Sequence, residues 1–248
     1  MKLNFNPPLL LILGVLSLQL FSANKAQANS VLNVYTEEYP PFNFKDKNGQ
    51  PAGQSTLIVE TALKSLGIDY RIKFVPWARA LKFAADSKDS CVYSTSRTPE
   101  REATYQWLGP LVENPWTMFT LKSNKAAPKK LSDIEKETIG TYLGDAIVDY
   151  LQNKDIAVLA AANDEVNISK LKSGRVKYWA TGRLNGQSLL EKSNETSIVP
   201  IFDFNKTQMY LACNKKMNPE VAAKIDVAIK AAVEQKDLRL PKQGSIDR

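Results

Sequence analysis

The chain has 248 residues, 44% of them hydrophobic, and a formal net charge of +7, which suits one large domain or two small lobes. It contains no histidine, which excludes Ser-His-Asp and Cys-His catalysis and imidazole metal sites; Cys91 and Cys213 alone cannot build a structural zinc site. The basic excess is mild and lacks the Lys/Arg stripe of a nucleic-acid binder, so neither a nucleic-acid partner nor a cofactor is expected.

The first residues combine Lys2, an apolar run from Leu9 to Phe21 and an Ala26-Gln27-Ala28 cleavage pattern. This reads as a secretory signal peptide over residues 1–28 and predicts a periplasmic chain starting at Asn29. The apolar run is too short to span a bilayer comfortably. No cysteine lies near the cut, which argues against lipoprotein processing.

A strand is predicted over 31–36, ended by Pro40-Pro41, since proline cannot donate to a ladder. "KDKNGQPAGQ" reads as a turn-rich loop. A helix follows in "STLIVETALKSLGI", with Ser55 as N-cap and Gly67 at its C-terminal stop. "DYRIKFVP" is a strand, "WARALKFAADSKD" an amphipathic helix and "SCVYSTS" a third strand. This alternation predicts a parallel sheet with crossover helices. "ATYQWLGPLVENPWTMFTLKS" is extended and aromatic, and a helix start is expected near Ser132. A second series then begins: strand "TIGTYL", helix "GDAIVDYLQNK", strand "IAVLAA", helix "NDEVNISKLKSGR" and strand "VKYWAT". A late strand, "TQMYLACNKK", and a long helix opened by Asn218-Pro219 suggest that the chain returns to its first half. The result is an α/β protein of two lobes. Residues 29–118 and 208–248 form lobe 1 and residues 119–207 form lobe 2, with the stretch from Met118 to Lys122 crossing between them.

"YSTSRTPERE" marks a junction from strand to helix, with Thr98 as N-cap and Pro99 at the first helical position. Arg101 then falls in the first turn, where the helix dipole disfavours a cation. Position alone therefore does not account for this arginine.

Four segments resemble, in order, those of the bacterial extracytoplasmic solute-binding proteins of family 3, amino-acid receptors that feed ABC transporters: "EYPPFNF", "GQSTLIVETALKSLGI", "STSRTPERE" and "LKSGRVKYW". The resemblance covers nearly all of the chain after the leader. It implies the type II periplasmic-binding-protein fold, with each lobe a mostly parallel sheet flanked by helices and a ligand cleft between the lobes. It also implies a non-enzymatic role: capture of an amino acid or related small carboxylate and delivery to a membrane permease or sensor. A monomer is expected. The competing readings are a sensory ligand-binding module and a cell-wall-related enzyme using Glu37 or Glu38 with another carboxylate.

By the same resemblance, Arg101 grips a ligand carboxylate, for which its planar fork is suited. Ser94 and Ser96 add donors at the strand end. Tyr39 and Phe42 supply an aromatic wall. From its own position at the head of a helix after Pro76, Trp77 reads either as a cleft-facing side chain or as packing between helix and sheet. Glu38, like Glu37, offers an acceptor. Gly144 and Asp145 form a glycine-led ligand loop, and Thr181 and Arg183 flank the position of the family's ammonium-binding aspartate. That position is Gly182 here, and Lys177 replaces another aspartate. Two outcomes are open: Asp145, or Glu37 or Glu38 across the cleft, takes over the ammonium, or the ligand carries none; the edge reads as basic, which tilts the expectation there slightly toward the second and predicts weak binding of common α-amino acids. Cys91 and Cys213 are expected to pair. An exported chain meets an oxidising compartment, and the family order sets their two strands side by side and antiparallel.

Overall fold

The computed structural model describes residues 1–2, 31–126 and 128–239. The leader assigned from the sequence falls almost wholly outside them. Among the described residues no helix is long and apolar enough to cross a membrane.

The elements follow in chain order: β1 (Leu32–Thr36), β2 (Phe44–Lys45), β3 (Pro51–Ala52), α1 (Gln54–Ser65), β4 (Tyr70–Phe74), α2 (Trp77–Asp86), β5 (Ser90–Ser96), α3 (Pro99–Glu102) and β6 (Tyr105–Leu121). Then come β7 (Ile139–Tyr142), α4 (Ala146–Gln152), β8 (Val158–Ala161), α5 (Val166–Lys172), β9 (Tyr178–Gly182), α6 (Arg183–Lys192), β10 (Ile198–Asn214) and α7 (Pro219–Arg239). Helix α1 buries Thr56, Val59 and Leu63 on one face, the i, i+3, i+7 spacing of an amphipathic helix. It starts with Gly53 rather than Ser55 as N-cap, and Ser55 is buried inside the first turn. The helix expected near Ser132 is only a 3-10 turn, Leu131–Asp133.

Eight strands form one sheet in the order β4-β1-β5-β10-β6-β9-β7-β8. At one end β1 pairs parallel with β4 and β5; at the other, β7 pairs parallel with β8 and β9. The two 17-residue strands β6 and β10 run antiparallel through the middle and belong to both ends. β10 meets β5 from Met209 to Cys213, whereas β6 meets β9 from Trp116 to Phe119. Between those contacts, Glu113–Pro115 and Lys206–Gln208 pair only with each other. β6 has therefore entered the second end by Trp116, upstream of the Met118–Lys122 crossing read from the sequence.

The buried apolar side chains divide in the same way. Val34, Ile58, Leu63, Leu211 and Ile229 pack around the first end of the sheet. Trp116, Met118, Ile139, Ile147 and Leu151 pack around the second. Burying one such side chain fully is worth about 1.5–3 kcal/mol, so each group forms a core of its own. Tyr142, from the second end, packs with Tyr39, Phe42 and Trp77 of the first. Cys91 and Cys213 are in register on β5 and β10, with Cα atoms 3.9 Å apart, and are joined by a disulfide.

Candidate functional site

The carboxyl ends of β1 and β5 and the start of α4 meet at one place, where ligands bind in sheets of this kind. After β1 the chain turns sharply. Tyr39 N–H donates to the Asn43 carbonyl, and Asn43 Nδ2 donates to the Glu37 carbonyl at 2.7 Å. This turn holds Glu37 and Tyr39 over the sheet end. Ser94, near the end of β5, has φ 60, a left-handed conformation that costs about 1–3 kcal/mol outside glycine and clusters at functional sites. Its Oγ is buried without a partner among the described residues, as is Asn114 Oδ1.

Helix α3 has only four residues, and Thr98 makes no side-chain cap. What the segment does is turn Arg101 inward. Arg101 is 9% exposed, and its guanidinium donates to the Gly144 carbonyl at 2.6 Å and the Ser96 carbonyl at 3.4 Å. Among the described residues it enters no ion pair. Its neighbour Glu102 is taken by Arg97 at 2.6 Å. The indole N–H of Trp77 also donates to the Gly144 carbonyl, at 2.9 Å.

Gly144 is required twice over. Its φ is +80, and a Cβ would lie 3.1 Å from Ala78 Cα. Gly182, the departure seen in the sequence, also has a steric reason. A Cβ there would collide with Tyr39 Oη and Asn114 Oδ1. Tyr39 Oη instead accepts from the Gly182 backbone N–H and from Asn114 Nδ2, both at 3.2 Å.

Arg101, Ser94, Ser96, Tyr39, Trp77 and Asp145 line one small cavity together with Glu37, Asn114, Tyr142 and Met209. Its volume, about 10 Å³, is room for roughly one water. Asp145 is the N-cap of α4. Its Oδ1 accepts from Ile147 N–H at 3.1 Å and its Oδ2 from Thr141 Oγ1 at 3.5 Å. Burial pushes its carboxyl up to about 7 against these bonds. Burial likewise raises Glu37 well above the usual carboxylate range, although Tyr142 Oη donates to it at 2.9 Å. The cavity thus sets one buried guanidinium beside two carboxyls.

The other sequence candidates lie elsewhere. Phe42 sits behind Tyr39, stacked at 6.0 Å and 1% exposed. Glu38 is exposed, accepts from Lys45 N–H at 3.3 Å and borders a neighbouring cavity. Gly144 contributes its carbonyl. Thr181 is buried, with its hydroxyl bonded to Asp164. Arg183 pairs with Asp203 at 2.6 Å, and Lys177 pairs with Glu137 at 2.8 Å. Both cations are neutralised outside the cavity, so the basic edge expected there is not part of it. Glu37 was in view beside Glu38, whereas Asn114, Tyr142 and Met209 carried no local signal. They reach the cavity through strand pairing.

This architecture, two α/β cores joined by two long strands with a polar pocket at the strand ends, is the type II periplasmic-binding-protein fold. Residues 32–240 match the bacterial extracellular solute-binding proteins, family 3, and the chain belongs to that family. A histidine kinase sensor domain with similarity to periplasmic binding proteins superposes with TM-score 0.77 at 16% identity, covering 84% of this chain and 92% of that one. An ancestral arginine-binding protein bound to glutamine gives 0.73 at 24% identity, covering 84% and 92%. The arginine-, lysine-, histidine-binding protein ArtJ from Geobacillus stearothermophilus gives 0.74 at 19% identity, covering 84% and 91%. Among curated proteins no sequence relative matches.

Proposed function

We propose that this solute-binding protein captures an amino acid or related small carboxylate between two lobes in the periplasm and presents the loaded form to a membrane transporter. The observation that carries this reading is Arg101: a buried guanidinium with no carboxylate partner, beside the unpartnered oxygens of Ser94 and Asn114. A ligand carboxylate would meet its fork bidentately. Asp145 and Glu37, in the same cavity, would meet an ammonium, since a buried charge needs a partner. This replaces the expectation of a ligand without an ammonium, because the cations that motivated it are engaged elsewhere.

The two cores act as lobes in this reading, and the two-stranded ribbon of Glu113–Pro115 and Lys206–Gln208 is the hinge. Each of its strands has only the other as a neighbour there, and the ribbon lies between the two cores, so bending it disturbs neither core. The bonds from Arg101 and Trp77 to Gly144, and from Tyr142 to Glu37, cross between the lobes and would break on opening and re-form on closure.

Arg101→Ala should weaken binding of whichever amino acid or organic acid stabilises the wild-type protein by at least about tenfold, the loss of one charge-assisted pair. Calorimetry measures it, and unchanged affinity in a folded variant removes the anchor. The likeness to a sensor domain favours a second reading in which the loaded protein signals to a membrane sensor. Co-purification of a permease or of a kinase with the ligand-loaded protein separates the two.

A further inference from the structure

The eight-stranded sheet has two edges, β4 and β8, and the sequence treats them differently. β4 carries Arg71 and Lys73, both exposed. Charged side chains on an edge strand discourage further pairing. β8 reads VLAA and carries no charge. Its inner side is spent on β7: the Ala157 and Ala161 carbonyls accept from Ile139 and Leu143 N–H, both at 2.9 Å. Leu159 lies between them and faces the same way. The N–H and C=O groups of Val158 and Ala160 therefore point out of the sheet. Among the described residues these groups meet no hydrogen-bond partner.

Apolar side chains lie beside this open backbone. Lys170 of α5 donates to the Leu159 carbonyl at 2.6 Å, which sets α5 alongside the strand. Leu159 is 41% exposed, and Val166, one turn before Lys170 on the same helix face, is 40% exposed. Two exposed charges bracket the strand. Lys154 precedes it and Glu165 follows it, and among the described residues neither enters an ion pair.

We propose that β8 is a dimer interface: a second copy of this chain pairs its β8 antiparallel on the first, with the two-fold axis at Leu159. The strand is its own complement in that register. Val158 of one copy and Ala160 of the other exchange both N–H···O bonds, and Leu159 stands opposite Leu159 with Cβ atoms about 4.5–5.5 Å apart. Antiparallel pairing also brings the Lys154 end of each strand to the Glu165 end of the other, so opposite charges meet on both sides of the axis. Asp155, beside Lys154, falls opposite Asn163, whose amide can donate to it. Because β4 is guarded by its cations, association closes at two copies and does not continue into a fibre. The interface uses the second core alone, so the ribbon between the cores stays free to bend in both copies. A dimer takes the place of the monomer expected from the sequence. β8 has only 4 residues, so the pairing is weak, with a dissociation constant on the order of 10–100 µM.

Sedimentation equilibrium of the leader-free chain, from about 5 to about 500 µM, tests this range. The average mass should rise from one copy toward two and no further. Leu159→Lys sets like charges against each other on the axis and should leave a monomer throughout. Its thermal midpoint in dilute solution should move by no more than about 2 °C, since the side chain is exposed. Lys154→Glu should weaken association at least about fivefold, and adding Glu165→Lys should restore it to within about twofold. Hydrogen exchange of the wild-type chain needs no variant: the Val158 and Ala160 amides, and not that of Leu159, should gain protection as concentration rises. A monomer at the highest concentration, a dimer that survives Leu159→Lys, assembly beyond two copies, or a dimer whose Val158 and Ala160 amides exchange as fast as in the monomer overturns the proposal.

Discussion

Asp145 and Asp164 are two aspartates of the second half of the chain, each 8% exposed, yet their surroundings differ. Asp164 accepts from four side chains: Thr181, Trp179, Asn167 and Asn185. It ties the start of α5 to β9 and α6. Asp145 accepts from one backbone N–H of its own helix and, at 3.5 Å, from one hydroxyl. Its remaining capacity faces the cavity that holds Arg101. Equal burial therefore conceals unequal saturation. A saturated carboxylate organises structure, and an unsaturated one is available to a ligand.

Removing the saturated group should have the largest effect. Asp164→Ala leaves the Trp179 indole N–H and the Thr181 hydroxyl without their acceptor and takes one of two acceptors from each of the Asn167 and Asn185 amides; it should cost roughly 2–4 kcal/mol, since each stranded buried donor carries its own desolvation penalty. The thermal midpoint should fall by about 5–15 °C, and denaturant unfolding would measure the loss directly. A fall of no more than a degree would erase the contrast between the two aspartates.

The effect of pH comes next. The folded-state value of Asp145, about 7, lies above the ordinary 3.8, and that of Asp164 is about 6. Between the ordinary and folded values the folded chain keeps a proton that the unfolded chain has released. Stability is therefore full below this window and falls as pH rises through it. From pH 5 to pH 8, without added solute, the thermal midpoint should drop by at least about 5 °C. The chain has no histidine to obscure the window. Glu195, held down to about 2 by Lys172 and Ser197, changes its contribution only at lower pH. Asp145→Asn keeps the helix cap and should flatten the slope. A slope left unchanged by that substitution would show that Asp145 does not carry the proton.

The smallest effect should come from Arg183, whose pair with Asp203 is about two-fifths exposed. Arg183→Ala should change stability by about 0.5 kcal/mol or less, and ligand affinity by less than about twofold. A tenfold loss of affinity would return this arginine to the site.

The cavity residues were legible in the sequence where they sit in local motifs. Arg101 follows a strand-to-helix junction, Tyr39 a diproline turn and Asp145 a glycine that opens a helix. Asn114 had no such marker. It lies midway along β6, and only strand pairing brings it to Tyr39 and Gly182. Helix α6 and the first half of β10 were not anticipated, for related reasons. α6 carries Gly186 and a polar, weakly periodic sequence, and it is placed by packing on Phe119. β10 carries Pro200 and pairing irregularities, so its early residues do not alternate cleanly. Arg183 was misplaced because chain proximity to Gly182 does not say which way a side chain leaves the first turn of a helix.

The bond between Cys91 and Cys213 closes a covalent ring that spans 122 positions and contains the whole second core. In the chain-entropy account a ring of that size restricts the unfolded chain by about 5 kcal/mol. It also makes the second core a passenger between two stapled strands. A single backbone cut anywhere within the ring leaves one molecule of unchanged mass apart from the added water, which separates into two pieces only after reduction. A protease that nicks a loop of the second core, in the compartment where disulfides persist, would therefore not detach it from the first.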